Sequence, residues 1–456
     1  CPQNLREEEM FEVPDWAANK VVYQIFPSRF AASQPVDKKL WYKAPITPMD
    51  DLHGNLRGII EHLDYIKDLG IDVVYLTPIF KSNSCHKYDT TDYYQIDPSF
   101  GTTEDLKELV QKAHERGMKV VLDAVYNHTG REFFAFADIL ENGEKSKYRD
   151  WYFIDGFPLK SEWGEIPNFK CFGYYGGMPK LNLKNPEVEK YITDVACYWI
   201  KECDIDGWRL DVGDEISHFF WKNFRKAVKA VKIDMLIIGE IWHYAGDFLE
   251  GDEWDTVMNY PFYLNLIDLL ADEKITVSQF VQNLGYLKGR LHKNCYPLMW
   301  NLIDSHDTAR FLHLCNDNKK KQHLAAAFQL LLPGMPMIYY GDEYAMPGAN
   351  DPDCRRGMYW DEEYQDKEMY EWYKRLIQVR KSHACIVEGE LAGSVTEDEE
   401  GTIVLIRKNG EETIAMIFNC SSSAKKFNEY TQKYNLLTEN TFDGNVEGFD
   451  AAVIVL

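Results

Sequence analysis

The feature that most constrains this chain is a unit repeated through its first two-thirds: an amphipathic helix, a glycine and a short β-branched run. In one unit, apolar residues spaced as a single helical face occupy 56–69, Gly70 ends the helix, and IDVVYL follows. A second unit opens at a capping box of Thr102 and Asp105, closes at Gly117 and continues into KVVLDAV. Strands that alternate with helices in this way predict a parallel sheet.

The number of such strands decides between two architectures. Eight segments fit the pattern: VVYQIF, IDVVYLT, KVVLDAV, IDGWRLD, MLIIGE, TVMNY, LMWNLID and PMIYYG. Eight strand–helix units predict an α/β protein built on a closed (β/α)8 TIM barrel. A doubly wound open sheet is the alternative, but it usually has fewer strands and a glycine-rich first turn, and this sequence has neither feature.

Two stretches depart from the repeat. About 75 residues separate the third and fourth strand segments, far more than an ordinary connection, and 129–186 is rich in Tyr, Phe, Trp and Gly. Near the C-terminus the pattern alternates, and GTIVLIRK and EETIAMIFN flank Asn409-Gly410, which predicts a type I′ hairpin. We therefore predict a barrel domain at 1–128 and 187–384, an inserted small domain after strand 3 at 129–186, and a C-terminal antiparallel β-domain at 385–456.

Composition restricts the partners. The formal charge of −23 argues against nucleic acid and against anionic membrane surfaces, and no apolar run reaches the roughly 18 residues of a membrane helix. The ten cysteines lack CxxC or Cys/His spacing, so we expect reduced thiols and no metal site. No signal-peptide pattern is present, so a cytoplasmic location is expected in preference to secretion or lipid anchoring at Cys1.

Polar residues gather where the predicted strands end. They are Asp123, Asn127, His128, Arg209, Asp211, Glu240, Asp304, His306 and Asp307. In such barrels the C-terminal ends of the strands form the active site. Arg209 and Asp211 lie two apart in a strand and face the same side, which taken alone could be a buried structural ion pair. Carboxylates from neighbouring strands arrive at the same rim, however, and like charges are costly there unless a reaction needs them.

Paired carboxyl groups beside an arginine suit glycoside hydrolysis. One carboxylate attacks the anomeric carbon while a carboxylic acid protonates the leaving oxygen. Other schemes lack support, because the sequence has no G-x-S-x-G elbow, Walker loop or H-E-x-x-H motif.

Four short stretches resemble the conserved stretches of the α-amylase superfamily, glycoside hydrolase family thirteen: DAVYNH (123–128), GWRLDVGDE (207–215), GEIWH (239–243) and NLIDSHD (301–307). They occur in the order of that family and at the matching barrel strands. MPKLN, GDEWDTVMNYPF and HKYDTTDY further resemble the neopullulanase, cyclomaltodextrinase and maltogenic amylase group. The resemblance implies a retaining α-1,4-glucan hydrolase for neutral maltooligosaccharides, with pullulan and cyclodextrins as further candidate substrates.

The resemblance also implies roles for individual residues. Asp211 would be the nucleophile, Glu240 the general acid/base and Asp307 a third carboxylate that grips the sugar, while Arg209 would keep Asp211 ionised. Asp123 would be a structural acid next to the site and not a participant in the reaction. The implied substrate-binding residues are Tyr88, His128, Arg209, Trp242, His306, Asp351 and Arg355. For Tyr88 and Trp242 the alternative is plain core packing.

The sequence departs from these relatives in two places. Many of them carry an N-terminal β-domain that completes the active site of a dimer partner, whereas here the barrel pattern begins at about residue 20, so we expect a monomer or weak homo-oligomer. The loop after strand one has Asp37 as its only carboxylate before Asp50, too few for a typical calcium cage. No cofactor is expected to be required, and calcium near Asn127 stays open.

Three functions remain as alternatives at this stage. The leading one is hydrolysis of α-1,4-glucan oligosaccharides. The second is an exo-acting α-glucosidase or oligo-α-1,6-glucosidase with a narrower pocket. The third is a non-catalytic binding module, which usually loses one or more of the carboxylates that this sequence retains.

Overall fold

The computed structural model describes residues 12–160 and 165–456, and its first ten strands form a barrel and one hairpin. The strands are β1 (Val22–Ile25), β2 (Val73–Leu76), β3 (Phe80–Ser82), β4 (Thr90–Ile96), β5 (Lys119–Ala124), β6 (Gly207–Leu210), β7 (Leu236–Gly239), β8 (Thr256–Val257), β9 (Trp300–Asn301) and β10 (Met335–Tyr339). Eight of them match the eight predicted segments. The prediction concerning Cys1 lies outside the described residues.

These eight strands make one parallel sheet in the order β8-β7-β6-β5-β2-β1-β10-β9. The two end strands meet through a parallel bridge between Met258 and Trp300, where the Asn259 N–H donates to the Trp300 carbonyl at 2.8 Å. This contact closes the sheet, so the predicted (β/α)8 barrel is confirmed.

Most helices of the described residues surround the barrel. The helices are α1 (Pro27–Phe30), α2 (Lys38–Trp41), α3 (Leu56–Glu61), α4 (Leu63–Leu69), α5 (Thr103–Glu115), α6 (Phe134–Asn142), α7 (Pro186–Cys203), α8 (His218–Val231), α9 (Tyr260–Leu266), α10 (Val277–Arg290), α11 (Phe311–Leu314), α12 (Lys319–Leu331), α13 (Lys367–Ser382) and α14 (Cys385–Glu388). Of these, α6 lies in the segment between β5 and β6, and α14 contacts the C-terminal sheet. The local signals act as expected: Gly70 ends α4 in the left-handed conformation, and Thr102 and Asp105 form the capping box of α5.

Two parts of the chain lie over the C-terminal ends of the barrel strands. One is the β3–β4 hairpin, which the helix–strand rhythm did not predict and whose connecting loop contains Tyr88. The other is the segment between β5 and β6, which contains α6 and isolated bridges, including one between His128 and Lys180. The exact domain boundaries stay a prediction.

The C-terminal part is an antiparallel sheet of β11 (Glu390–Glu397), β12 (Thr402–Asn409), β13 (Glu412–Asn419), β15 (Tyr434–Asn435), β16 (Asn440–Thr441) and β18 (Asp450–Val455), beside a pair of β14 (Lys425–Lys426) and β17 (Asn445–Val446). The predicted hairpin is present, but the prediction of a type I′ turn was wrong. Asn409 pairs with Glu412, so the turn centre is Gly410-Glu411. Of these two residues Gly410 alone has positive φ, +60°, which fits type II′ because glycine stands first.

Two predictions from composition can be compared with the described residues. The nine cysteines in this part of the chain are free thiols, as expected. Within the same residues, no helix combines the length and apolar character needed to cross a lipid bilayer.

Candidate active site

Three adjacent barrel strands deliver the central charged residues. Asp123 in β5 stands in register with Arg209 in β6. The ladder continues past the strand ends, where the Asp211 N–H donates to the Ala124 carbonyl at 3.1 Å and the Glu240 N–H to the Leu210 carbonyl at 3.0 Å. The backbones of Asp211 and Glu240 are therefore fixed beside each other before any side-chain contact is made.

A glycine before Glu240 makes room for an aromatic ring at the end of β7. The Trp254 ring packs against Gly239 so closely that a Cβ there would lie 2.2 Å from it. A side chain at this position would displace the tryptophan from beneath the end of β7. The glycine of the Gly239-Glu240 pair is therefore required by packing under the site.

The Arg209 guanidinium is the centre of the charge cluster. Its Nη1 donates to both carboxylate oxygens of Asp123, at 3.0 and 3.1 Å, and to Asp211 Oδ1 at 2.9 Å. Its Nη2 lies 2.9 Å from Glu240 Oε2 and 3.9 Å from Asp307 Oδ2. One fully buried cation thus contacts three carboxyl groups closely and approaches a fourth.

Burial controls the protonation of this cluster. It raises the pKa of the Asp211 carboxyl, and the charges of Glu240 and Asp123 raise that pKa further, while Arg209 opposes the shift. Burial likewise raises the pKa of Asp123 to about 6, again against Arg209. Without the arginine, the carboxyl groups would take up protons at still higher pH.

Two neighbouring groups orient the Glu240 carboxyl. Its Oε2 accepts the Val212 N–H at 2.9 Å, and its Oε1 accepts the Trp242 Nε1–H at 3.1 Å. The Trp242 ring is itself held, since it stacks on Tyr260 with centroids 3.9 Å apart. Trp242 is nevertheless 42% exposed, so it is a wall of the site and not plain core packing.

Val212 has a strained backbone, and we expect a measurable effect from relaxing it. Its φ of +47° is left-handed, which costs a β-branched residue about 1–3 kcal/mol. In Val212→Gly we expect the free energy of unfolding to rise by about 1 kcal/mol, while kcat falls about tenfold because a freer backbone aims its N–H less firmly at Glu240. Thermal unfolding and steady-state kinetics would measure both.

The control is Gln432→Gly in the C-terminal part, where an exposed residue has a left-handed φ of +68°. It should give a similar rise in stability with unchanged kcat. An undiminished kcat in Val212→Gly would show that Glu240 does not depend on this N–H.

The opposite wall is formed by Asp307 and the loop at 351–355. Asp307 Oδ1 lies 3.5 Å from Arg355 Nη2, and Arg355 Nη1 lies 2.8 Å from Asp351 Oδ1. Arg355 also donates through Nε to the His306 carbonyl at 2.8 Å. This arginine therefore connects the loop to the end of the seventh barrel strand.

Tyr88 and two histidines line the side of the β3–β4 loop. The Tyr88 hydroxyl donates to Asp123 Oδ2 at 3.0 Å and is hydrogen-bonded to His306 Nε2, whose Nδ1 is 2.8 Å from Gln24. Burial lowers the pKa of His128 to about 4 and holds the pKa of His306 well below its ordinary value. Both imidazoles are therefore neutral at neutral pH.

These residues surround a cavity of about 380 Å³, within the usual range of small-molecule sites. Eight of the ten predicted site residues line it: Tyr88, His128, Asp211, Glu240, Trp242, Asp307, Asp351 and Arg355. The other two, Arg209 and His306, are fully buried beneath it. Asp304, also at a strand end, points elsewhere, since its Oδ2 accepts the Phe311 N–H at 2.7 Å.

Four lining residues were not predicted as site residues: His86, Phe172, Met178 and Val212. His86, Met178 and Val212 lie within quoted motifs, and this was the available signal, whereas Phe172 lies outside them. Phe172 stacks on His128 with centroids 5.2 Å apart, which is a contact between the inserted segment and the barrel. Such contacts across distant segments have no periodicity that a single sequence reveals.

The residues near Asn127 do not fit a calcium site. The Lys180 ammonium donates to Asn127 Oδ1 and contacts Glu215 Oε2 at 3.1 Å, so a cation from the chain itself already meets these oxygens. Within residues 12–160 and 165–456, no group of three or more His, Cys, Asp or Glu is arranged to hold a metal ion. Calcium therefore has no part in the catalytic steps proposed below.

Chemically, the cavity offers two buried carboxyl groups, an arginine that contacts both, and aromatic walls. This combination, at the C-terminal ends of a (β/α)8 barrel, is that of a glycoside hydrolase.

Comparison with known proteins agrees with this class. Residues 24–389 match the family model described as alpha amylase, catalytic domain. The chain belongs to the α-amylase family of glycoside hydrolases. It is 47% identical over 428 residues to a cyclomaltodextrinase of Geobacillus thermopakistaniensis, covering 93% of this chain and 72% of that protein.

Two further relatives extend the comparison. An intracellular maltogenic amylase of Bacillus subtilis is 42% identical over 420 residues, covering 91% of this chain and 71% of the relative. The structure of a cyclic α-maltosyl-(1→6)-maltose hydrolase from Arthrobacter globiformis superposes with a TM-score of 0.89 at 35% identity, covering 97% of this chain and all of the other. The predicted family and enzyme class are thereby confirmed.

Proposed function

We propose that the protein is a retaining hydrolase of α-1,4-glucosidic bonds in short, neutral α-glucans: maltooligosaccharides and, as further substrates, cyclodextrins and pullulan. The observation that carries the proposal is the contact of one buried guanidinium, Arg209, with both Asp211 and Glu240 at the cavity floor. Support also comes from relatives whose names describe cyclomaltodextrin and maltosyl-maltose as substrates.

In the first step, Asp211 is the nucleophile. Arg209 binds its Oδ1, which leaves Oδ2 to attack the anomeric carbon of the sugar. As the bond from that carbon to the glycosidic oxygen breaks, Glu240 gives its proton to this oxygen, and the shortened glucan leaves. The enzyme then carries a glycosyl ester on Asp211.

In the second step, Glu240 acts as a base. It takes a proton from water, the resulting hydroxide attacks the anomeric carbon, and the ester bond to Asp211 breaks. Two inversions give net retention, and Glu240 is again protonated. Asp307, a third carboxylate that lines the cavity, is suited to bind sugar hydroxyl groups, with Tyr88 and Trp242 packing against apolar sugar faces.

Product analysis tests this proposal. Incubation with maltotriose, β-cyclodextrin and pullulan should give maltose from the first two and panose from the third, and early products followed by NMR should be the α-anomer. Asp211→Asn is the inactive control. Glucose as the sole product, with rings and polymer untouched, would instead identify an exo-acting α-glucosidase, and absence of products would identify a binding module.

We also propose a cytoplasmic location. The support is the Bacillus subtilis relative, whose name describes an intracellular enzyme. Fractionation of the producing cells should recover the activity in the soluble lysate, and recovery from the medium or from washed membranes would contradict the proposal.

A further inference from the structure

A second cavity lies on the outer flank of the barrel, between α9 and α10. We call it the flank groove and define it by Tyr244, Leu264, Asn283, Tyr286 and Arg290. Its volume of about 340 Å³ is similar to that of the candidate active site and falls within the usual range of small-molecule sites. None of these residues has a role in the proposed catalytic steps.

Tyr244 is fixed in place by three contacts. Its ring packs on the backbone of Gly246, where a Cβ would lie 2.1 Å from the hydroxyl oxygen. Its hydroxyl donates to the Arg290 carbonyl at 3.0 Å, and the Arg290 guanidinium lies 3.7 Å from the ring centroid. A tyrosine held this firmly loses little further entropy when a ligand binds to it.

Arg290 connects this tyrosine to a second one. Its guanidinium also lies 5.0 Å from the Tyr286 centroid, and its Nη1 donates to the Tyr286 hydroxyl at 3.0 Å. Tyr286 is nevertheless 67% exposed, and Leu264 beside it is 45% exposed. The groove therefore presents a preformed apolar and aromatic face to solvent.

The helix that carries Tyr286 has an unusually bare surface. Gly285 and Gly289 lie inside α10, and apart from their chain neighbours and the helix's own backbone no described atom is within 4 Å of a Cβ placed on either one. Each glycine costs an exposed helix about 1 kcal/mol relative to alanine. Because the space around both positions is open, packing within the protein does not explain why glycine stands there. Their effect is to leave open space on the helix surface beside the Tyr286 side chain.

Polar groups accompany the aromatic rings. Asn283 donates to Asn265 Oδ1 at 2.8 Å, and the partly exposed carboxylate of Asp268 lies on the same wall. Apolar ring faces interspersed with amides and a carboxylate match a neutral sugar, which has apolar C–H faces and a rim of hydroxyl groups.

The flank groove begins where the active site ends. Trp242, which donates to the Glu240 carboxyl, precedes Tyr244 by two residues in the same loop, and it stacks on Tyr260, the first residue of α9. Trp242 lines the active-site cavity and Tyr244 lines the flank groove, so one short loop contributes to both.

We propose that the flank groove binds the distal glucose units of longer α-glucans, on the leaving-group side of the cleaved bond. The proposal rests on the proposed function as an α-glucan hydrolase. A protein partner fits less well, because a stable interface needs about 800 Å² and some 20–30 residues on each side, far more than this patch offers. The groove thus makes the enzyme sensitive to chain length.

Binding measurements test the proposal even if turnover proves slow. In the Asp211→Asn background, calorimetry should show that adding Tyr286→Ala weakens maltoheptaose binding about fivefold to tenfold, or roughly 1–1.4 kcal/mol. Maltotriose, which has four glucose units fewer, serves as the matched short ligand and should bind equally to both proteins. Arg290→Gln, which releases both rings, should give the same selective loss, whereas Tyr434→Ala, an exposed tyrosine of the C-terminal sheet, should give none.

The kinetic counterpart is the ratio of kcat/KM for maltoheptaose to that for maltotriose, which Tyr286→Ala should lower by the same factor. Equal affinities and ratios in the parent and the Tyr286→Ala variant would overturn the proposal. So would unchanged affinity together with loss of a dimer in light scattering, which would identify a protein interface. Failure of the proposed function would be seen separately, as absence of products from the unaltered protein.

Discussion

Replacing Glu240 with glutamine should lower kcat on maltotriose about 10³- to 10⁴-fold while leaving maltotriose binding nearly intact. General acid–base groups typically contribute about 10²–10⁴, and in the proposed mechanism Glu240 acts in both steps. Glutamine keeps the size of the side chain, and its one carbonyl oxygen can still accept the Val212 N–H, whereas the Trp242 Nε1–H loses its acceptor. The cavity should therefore retain its shape with one hydrogen bond fewer. Steady-state kinetics and calorimetry would separate the loss of turnover from the retained affinity.

A substrate with a good leaving group distinguishes the acid from the nucleophile. The nitrophenol of 4-nitrophenyl maltoside leaves with little need for protonation of its oxygen. With this substrate, Glu240→Gln should release a burst of nitrophenol and then stop, because no base activates water for the second step. Intact-mass spectrometry should detect the glycosyl adduct on the stalled protein. Asp211→Asn should show neither burst nor adduct, and the reverse pattern would exchange the two roles.

The fold was predictable because its signals are local. Most barrel strands are short apolar runs that follow a helix, and terminators such as Gly70 act through their own backbone conformation. The β3–β4 hairpin was missed because its pairing is interrupted by register shifts and its sequence is polar and aromatic. At Asn409-Gly410 the dipeptide located the hairpin, but the pairing of Asn409 with Glu412 decided the turn type.

The site was predictable to the extent that its residues lie at strand ends. Asp211, Glu240 and Asp307 line the cavity because the barrel brings those ends together. Sequence could not show that His306 would be buried against Tyr88, because that contact joins residues 218 positions apart. Phe172 likewise reaches the cavity through the tertiary placement of the inserted segment.

Arg209 explains how so many acidic groups can share one cavity floor. It is fully buried, and the carboxyl groups of Asp123, Asp211 and Glu240 lie within 3.0 Å of its guanidinium nitrogens. Its Nε–H faces the sulfur of Met258 at 3.4 Å. No other cation of the described chain is within ion-pairing distance of Asp123, Asp211 or Glu240, so the stability of the barrel top should depend on this residue.

Arg209→Met should therefore destabilise the protein by about 3–5 kcal/mol near pH 8, since it leaves buried carboxylates without their cation. The loss should shrink near pH 5. Asp123 already has a pKa of about 6, against about 3.9 for an unfolded chain, and the pKa of Asp211 is raised as well. Removing Arg209 raises both further, so the folded variant binds protons that the unfolded chain does not, and its stability rises as pH falls through that window. Chemical denaturation at both pH values measures the difference.

The double variant Arg209→Met/Asp123→Asn is the control, because it also removes one of the carboxylates that lost their cation. It should recover part of the lost stability at pH 8 and little at pH 5. A deficit that is equal at both pH values, or a double variant less stable than the single one, would show that Arg209 acts through packing and not by neutralising charge.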